Sequence, residues 1–183
     1  PFERFFINSL VTTGAGSGLE LANGVLTAYA LVFLRFPRKN LVFLVVLAAL
    51  MVPVQITIIP NYVLVAELGW VNTYQGIIIP GAAVAFGTFL MRQQFLALPR
   101  EVIEAARIDG AGHLRMLWQI VLPMSRPTLV TFGLISVVSK WNEYLWPLLV
   151  TNTAERMTLP VGLTHLQDSE GSSEWGIVMA GAV

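Results

Sequence analysis

Long apolar runs, almost free of charge, decide what this chain can become. Crossing roughly 30 Å of hydrocarbon takes roughly 20 mostly apolar helical residues, and residues 41–59, 77–95 and 128–150 each approach that length. Residues 5–34 are also long enough, but they carry Asn8, Glu20, Asn23 and the small run Gly14-Ala15-Gly16-Ser17-Gly18. That helix is expected to face other helices more than lipid. Pro53 and Gln55 interrupt the second run, and Pro80, Gly81 and Gly87 the third, so both are expected to cross as kinked helices. The run at 128–150 carries Lys140, Asn142, Glu143 and Pro147, and residues 175–183 begin a fifth. The expected fold class is therefore all-α, a polytopic transmembrane helical bundle.

Composition agrees. Of 183 residues, 55% are hydrophobic and 12% charged, against about 25% charged in an ordinary soluble domain, and the mean hydropathy is +0.69. Eleven Lys and Arg balance eleven Asp and Glu, so no net field favours nucleic acid, and none is expected as a partner. Cysteine is absent, and the two histidines, His113 and His165, are expected on opposite sides of a membrane. No metal site is expected. The chain opens at Pro1 and stops at Gly181-Ala182-Val183 inside an apolar run, which reads as an excerpt of a longer protein without a cleavable signal pattern.

The cations give the sidedness, because cytoplasmic loops retain Lys and Arg. Arg35, Arg38, Lys39, Arg92, Arg100, Arg107, Arg115 and Arg126 make eight of the eleven, all in or beside connections of one parity. That side is read as the cytoplasm. The connection 60–74 has no cation, and 151–174 has Arg156 alone against Glu155, Asp168, Glu170 and Glu174, so both are read as external. Trp70, Trp146 and Trp175 lie near span ends, where interfacial aromatics collect.

Function is sought in the one long cytoplasmic connection, residues 97–127. Pro99 and Arg100 open a helix, Glu101 and Glu104 suit its positive end, and Val102, Ile103, Ala106 and Ile108 supply an apolar stripe. Asp109-Gly110 ends it, and a second helix fits 113–121 before Pro123 and Pro127. Two short helices about a Gly turn form a lever that a cytoplasmic partner can push. An amphipathic hairpin packed under the bundle fits the same spacing.

Glu104-Ala105-Ala106, three residues, Gly110, nine residues, then Ile120-Val121-Leu122-Pro123 resembles the EAA signature of binding-protein-dependent ABC importer permeases, without departure. The wording Glu104-Ala105-Ala106-Arg107-Ile108-Asp109-Gly110-Ala111 resembles their carbohydrate-uptake branch, which includes maltose and glycerol-phosphate permeases. Asn8-Ser9-Leu10, Ala28-Tyr29-Ala30, Arg35-Phe36-Pro37, Met51-Val52-Pro53, Asn72-Thr73-Tyr74, the run from Trp141 to Pro147 and Thr158-Leu159-Pro160 are further phrases that this branch resembles.

The resemblance implies a single permease domain over 1–183, with the loop at 98–123 as a coupling helix docked in a cleft of a separate ATPase subunit. Glu104 would meet a basic residue there, and Ala105 and Ala106 would be the close-contact surface, with Asp109 and Ala111 also among the coupling residues. Gly110 would make the turn, and Ile120, Leu122 and Pro123 the return to the membrane. It also implies six spans, the first and most of the last lying outside the excerpt. The implied partners are a homologous second permease, two ATP-binding subunits, an extracytoplasmic solute-binding protein and lipid, in a bacterial cytoplasmic membrane. ATP and Mg would be bound by the ATPase, with no cofactor held by this chain.

The residues themselves offer no catalysis: no Walker loop, no G-x-S-x-G elbow and no H-E-x-x-H pair is present. The glycines at 14, 16 and 18 lack dinucleotide spacing and are expected to serve packing. Charges at membrane depth need a reason, and here they are Glu20, Lys140 and Glu143. Lys140, Glu143 and Tyr144 share a face if the helix continues, which suits a self-satisfied anchor. Alternatively Lys140, Trp141, Asn142, Glu143 and Tyr144 border a translocation path, the rings covering sugar faces and the polar groups binding hydroxyls. Glu20 has no cation nearby in sequence and is expected to find a polar partner on another helix. Two rival functions remain at this stage: a proton-driven secondary transporter using Glu20 or Glu143, and a membrane scaffold whose hairpin only holds a partner.

Overall fold

The computed structural model describes residues 2–169, which are helical wherever they are regular. The expected start of a span at 175–183 lies outside the described residues. The first helix, α1 (Phe2–Phe33), is one unbroken rod of 32 residues, about 48 Å at 1.5 Å per residue. Its buried positions recur at helical spacing: Phe5, Asn8, Ser9, Thr12, Thr13, Ser17, Glu20, Val25, Ala28 and Tyr29. Phe6, Ile7, Leu10, Val11, Leu19 and Leu26 are exposed. Polar groups inside and apolar groups outside is the arrangement expected when hydrocarbon replaces water as the outer solvent.

The other runs are broken into separate helices. The run at 41–59 is divided between α2 (Lys39–Leu50) and α3 (Val54–Glu67) by Met51-Val52-Pro53. The run at 77–95 is α4 (Tyr74–Ile78) and α5 (Ala85–Leu96), with Pro80 and Gly81 in the gap. The connection after α5 carries α6 (Arg100–Ile108), α7 (His113–Met116), a π-turn at Leu117–Val121 and α8 (Leu122–Met124). The run at 128–150 is α9 (Arg126–Trp141) and α10 (Leu145–Val150), separated by Asn142, Glu143 and Tyr144; α11 (Leu159–Ser169) follows. Among the described residues no single helix is long and apolar enough to cross a membrane. Two broken pairs are, by length and composition: Lys39–Leu50 with Val54–Glu67, and His113–Met124 with Arg126–Trp141.

The described residues form two compact units, one of residues 2–17, 54–82 and 137–169, the other of residues 18–53 and 83–136. In the first, Val65, Ile77, Trp146 and Val150 make the apolar core. A polar network holds its distant pieces. Asn8 Nδ2 donates to the carbonyls of Glu155 and Met157 at 3.0 and 2.9 Å, and Tyr74 donates to Asn8 Oδ1 at 2.6 Å. The Leu159 amide donates to Ser9 Oγ at 2.8 Å. Asn72, with φ 62°, accepts on Oδ1 from the amides of Asn152 and Thr153, and its own amide donates to the Val150 carbonyl. The phrases beginning at Asn8, Asn72 and Thr158, scattered in sequence, thus meet in one place.

The second unit packs Val25, Ala28, Tyr29, Met91, Phe95, Leu98, Ile103, Met116, Leu117, Val121 and Phe132 into one core. Phe132, fully buried, lies against Gly24 and Gly87. A Cβ on Gly87 would overlap its ring at 2.1 Å, so only glycine allows that approach. Glu20 is 7% exposed and accepts from Ser136 Oγ at 2.7 Å. The expected polar partner on another helix is found on α9.

Candidate functional site: a coupling elbow and a helix break

The elbow at 97–127 is built by local rules. Pro99 stands at the N-cap of α6, where its missing N–H costs nothing, and Glu101 faces the first turn. At the other end Asp109 is the C-cap and Gly110 adopts φ +75°, a left-handed conformation that suits glycine. The Gly110 amide then donates to the Arg107 carbonyl at 3.1 Å and the Ala111 amide to the Ala106 carbonyl at 2.9 Å. This is the paired closure of a Schellman motif. It gives the motif glycine a physical reason: the turn satisfies two end carbonyls and redirects the chain within three residues.

The second arm departs from expectation. The helix does not close at Pro123; it runs on to Met124. Proline has no N–H to bond back, and the turn ahead of it is widened, with the Leu122 amide bonding the Leu117 carbonyl five residues back. The break comes at Ser125, where the segments His113–Met124 and Arg126–Trp141 meet at 83°.

Burial sorts the expected coupling residues into two sets. Ala106 is buried, and Ile120, Leu122 and Pro123 are half-buried, Ile120 and Leu122 packing on the core. Glu104, Ala105, Asp109 and Gly110 are exposed, and Ala111 is half-buried. Ala105 and Ala106 therefore do not share a surface. The expected inward stripe also loses Ile108, which is 86% exposed. It lies two residues past Ala106, roughly 200° round the helix at about 100° per residue. Leu114 and Trp118, at 74% and 68% exposed, extend the apolar outer face. Sequence reasoning missed these two, although an apolar residue on the outer side of an amphipathic arm is the signal that marks them. It also missed the anchor: Tyr29 and His113 hydrogen-bond across 84 residues, α1 to the start of α7.

The expected translocation-path residues also divide. α9 ends at Trp141, so Lys140, Glu143 and Tyr144 do not share one continuous helical face as the anchor reading required. Lys140 reaches back through the space above Gly16, and its ammonium donates to the Gly81 carbonyl at 2.9 Å. Lys140 and Glu143 line one small cavity with Thr12, Gly16, Pro147 and Thr158. Trp141 instead packs edge-on against Phe6 at 5.7 Å, Asn142 caps its own helix by donating to the Val138 carbonyl at 2.8 Å, and Tyr144 is 39% exposed. Of the glycines at 14, 16 and 18, Gly16 alone meets a neighbour; Gly14 and Gly18, four apart on one face, meet nothing within 4 Å. Among the described residues no cluster of three or more His, Asp or Glu is placed to hold a metal ion.

Over its whole length the chain is 40% identical to the sn-glycerol-3-phosphate transport system permease protein UgpE of Yersinia enterocolitica, covering 66% of that protein. It is also 40% identical to UgpE of Brucella abortus, over 99% of this chain and 64% of the relative. The chain thus spans just under two thirds of the curated relatives it matches. A solved bacterial ABC transporter involved in the import of the acidic polysaccharide alginate superimposes with a TM-score of 0.85 over 99% of this chain and 63% of its own, at 29% identity. Residues 21–183 match the family described as "Binding-protein-dependent transport system inner membrane component". By that match this chain, an all-helical protein of the inner membrane, belongs to the family of binding-protein-dependent transport system components.

Proposed function

We propose that the protein is a membrane-spanning permease subunit of an ATP-driven importer for a carbohydrate or a glycerol-phosphate-type solute, and that the elbow at 98–123 couples it to a separate ATPase. The observation that carries this reading is the elbow's two-sidedness. One side is rooted in the core through Ile103, Met116, Leu117 and Val121, and the other presents Glu104, Ala105, Ile108, Leu114 and Trp118. A rooted inner side lets force on the outer side reach the helices. The UgpE relatives are named for glycerol-3-phosphate transport and the alginate importer for its polysaccharide, and both support the solute class.

No covalent chemistry falls to this chain in such a complex. The ATPase subunits bind ATP and Mg, a homologous permease completes the pathway, and a solute-binding protein delivers the solute from outside. Closure of the nucleotide-binding dimer displaces the docked elbow and shifts the helices between inward and outward openings. The test is ATP-dependent uptake in proteoliposomes holding the complete assembly. Glu104→Lys is expected to abolish uptake by uncoupling it from ATP hydrolysis or by blocking assembly, with the membrane fold intact. Normal coupled uptake in that variant, or uptake that survives ATP depletion and collapses with a protonophore, overturns the assignment.

A further inference from the structure

The first unit holds an open cavity of about 270 Å³ that neither the elbow nor the helix break uses. One water needs only about 10–15 Å³. Three segments meet there: Arg4, Ile7 and Asn8 at the start of α1, Tyr74 at the start of α4, and Glu155 and Arg156 between α10 and α11. The cation distribution reads the connections 60–74 and 151–174, which supply the last three, as external. The buried Asn8 fixes the site, its amide nitrogen donating to the Glu155 and Met157 carbonyls and its oxygen accepting from the Tyr74 hydroxyl. The two cations are set differently. Arg4 Nη1 donates to Glu155 Oε1 at 3.2 Å with the side chains 66% and 74% exposed, so water screens the pair and a ligand can share it. Arg156 is half-buried, its guanidinium 4.5 Å from the centre of the Tyr74 ring. Stacking takes up the face of a guanidinium, whereas its five N–H donors lie in the plane, round the edge.

We infer that this cavity seats the headgroup of a zwitterionic aminophospholipid of the surrounding bilayer, of the phosphatidylethanolamine class, with its phosphate between Arg4 and Arg156 and its ammonium on Glu155. The inference goes beyond the importer reading and does not depend on the solute carried. Two guanidiniums suit a phosphodiester, because every N–H···O bond between them is charge-assisted. A carboxylate beside them is out of place in a site for a simple anion. It is the acceptor that a primary ammonium, with three donors, requires. Both signs in one cavity match a headgroup that carries both. Ile7 points to the source. It is apolar and 53% exposed, and Val11 and Gly14, also exposed, follow it on the same helical stripe at spacings of four and seven. A methyl on Gly14 would meet nothing within 4 Å. A soluble phosphate has no use for that stripe, whereas an acyl chain attached to the headgroup can lie along it and cover apolar surface.

The test uses the purified complete importer, exchanged into equimolar phosphatidylethanolamine, phosphatidylglycerol and phosphatidylcholine with identical acyl chains, and native mass spectrometry to read the lipid retained. The wild type is expected to hold phosphatidylethanolamine roughly fivefold over either competitor, since the quaternary nitrogen of phosphatidylcholine has no hydrogen to give Glu155. Arg4→Gln and Arg156→Gln are each expected to cut that retention roughly fivefold. Glu155→Gln removes the partner of the ammonium and releases Arg4, so preference should pass to phosphatidylglycerol, a gain that a misfolded protein would not show. Glu67→Gln, an exposed charge at the end of α3 outside the lining, is the control with unchanged retention. Free phosphoethanolamine in millimolar excess should leave the lipid in place. Equal retention of the three lipids, wild-type preference for another of them, or a preference that the lining variants keep overturns the site. Displacement by free phosphoethanolamine overturns the lipid as its occupant. Retention is read without transport, so the result stands apart from the importer reading.

Discussion

The Tyr29 hydroxyl holds His113 twice, lying 3.0 Å from the ring Nδ1 and 3.1 Å from the backbone carbonyl. A phenol has one proton. Donated to the carbonyl, it leaves the phenolic oxygen to accept from Nδ1–H, so the arrangement selects the tautomer or imidazolium that carries that hydrogen. The pair ties α1 to the first residue of α7, just past the Gly110 turn. Tyr29→Phe removes both bonds and is expected to cost about 1–3 kcal/mol. His113→Ala removes only the ring bond, and the backbone carbonyl stays. In a double-mutant cycle read by thermal melting in detergent, the two changes should couple by about 0.5–1.5 kcal/mol. Strict additivity would mean that the bond to the ring contributes nothing.

At Gly87 the close approach to Phe132 sets a steric limit. An added methyl would meet the ring edge at 2.1 Å, and Phe132 is fully buried. Gly87→Ala is expected to destabilise the protein by about 1–3 kcal/mol, as overpacking does, or to lower its yield in the membrane. Phe132→Leu should partly rescue Gly87→Ala while being destabilising alone. The measurement is the melting temperature of the four proteins, and absence of rescue would show that the clash is relieved elsewhere.

Glu20 and Ser136 supply a different test, because a buried carboxyl in a membrane helix can be either a structural acceptor or a proton relay. The 2.7 Å bond from Ser136 supports the structural role. Ser136→Ala is expected to cost about 1 kcal/mol. Glu20→Gln keeps an acceptor oxygen and should cost less than Glu20→Ala, with ATP-driven uptake retained. Loss of uptake in Glu20→Gln at unchanged stability would instead favour a relay, and with it a proton-driven mechanism.

What sequence could show, and what it could not, divides by distance along the chain. α6 and its turn were legible because Pro99, Glu101 and Asp109-Gly110 act within a few residues of themselves. The buried stripe of α1 was legible from its polar and small residues, which lipid would reject. The Asn8–Tyr74 and Ser9–Leu159 bonds were not, since their partners lie 66 and 150 residues apart. Proline and glycine marked 53, 80 and 81 as weak points but could not say whether the helix would kink or stop. At 142–144 no breaker stands inside the gap, and Pro147 lies beyond it in the first turn of α10, where its missing N–H is harmless. Assuming a continuous helix there put Lys140, Glu143 and Tyr144 on one face.

The outer face of the elbow decides between a docked lever and a hairpin resting on lipid, and Trp118 reports on it directly. It is 68% exposed, beside Leu114 at 74%, while Met116 and Leu117 between them are buried. Trp118→Glu should therefore leave the fold intact, because the core side of the arm is unchanged. It should weaken association with the ATPase at least tenfold, since desolvated aromatic anchors dominate interface energies. Fluorescence separates the two readings. Trp118 emission, isolated by difference against Trp118→Phe, is expected to be quenched by aqueous iodide in the permease without its ATPase and to be shielded when the ATPase is added. Brominated lipids should quench it little in either state. Strong quenching by those lipids, unchanged by the ATPase, would place the tryptophan in the headgroup region and leave the elbow without a polypeptide to move it.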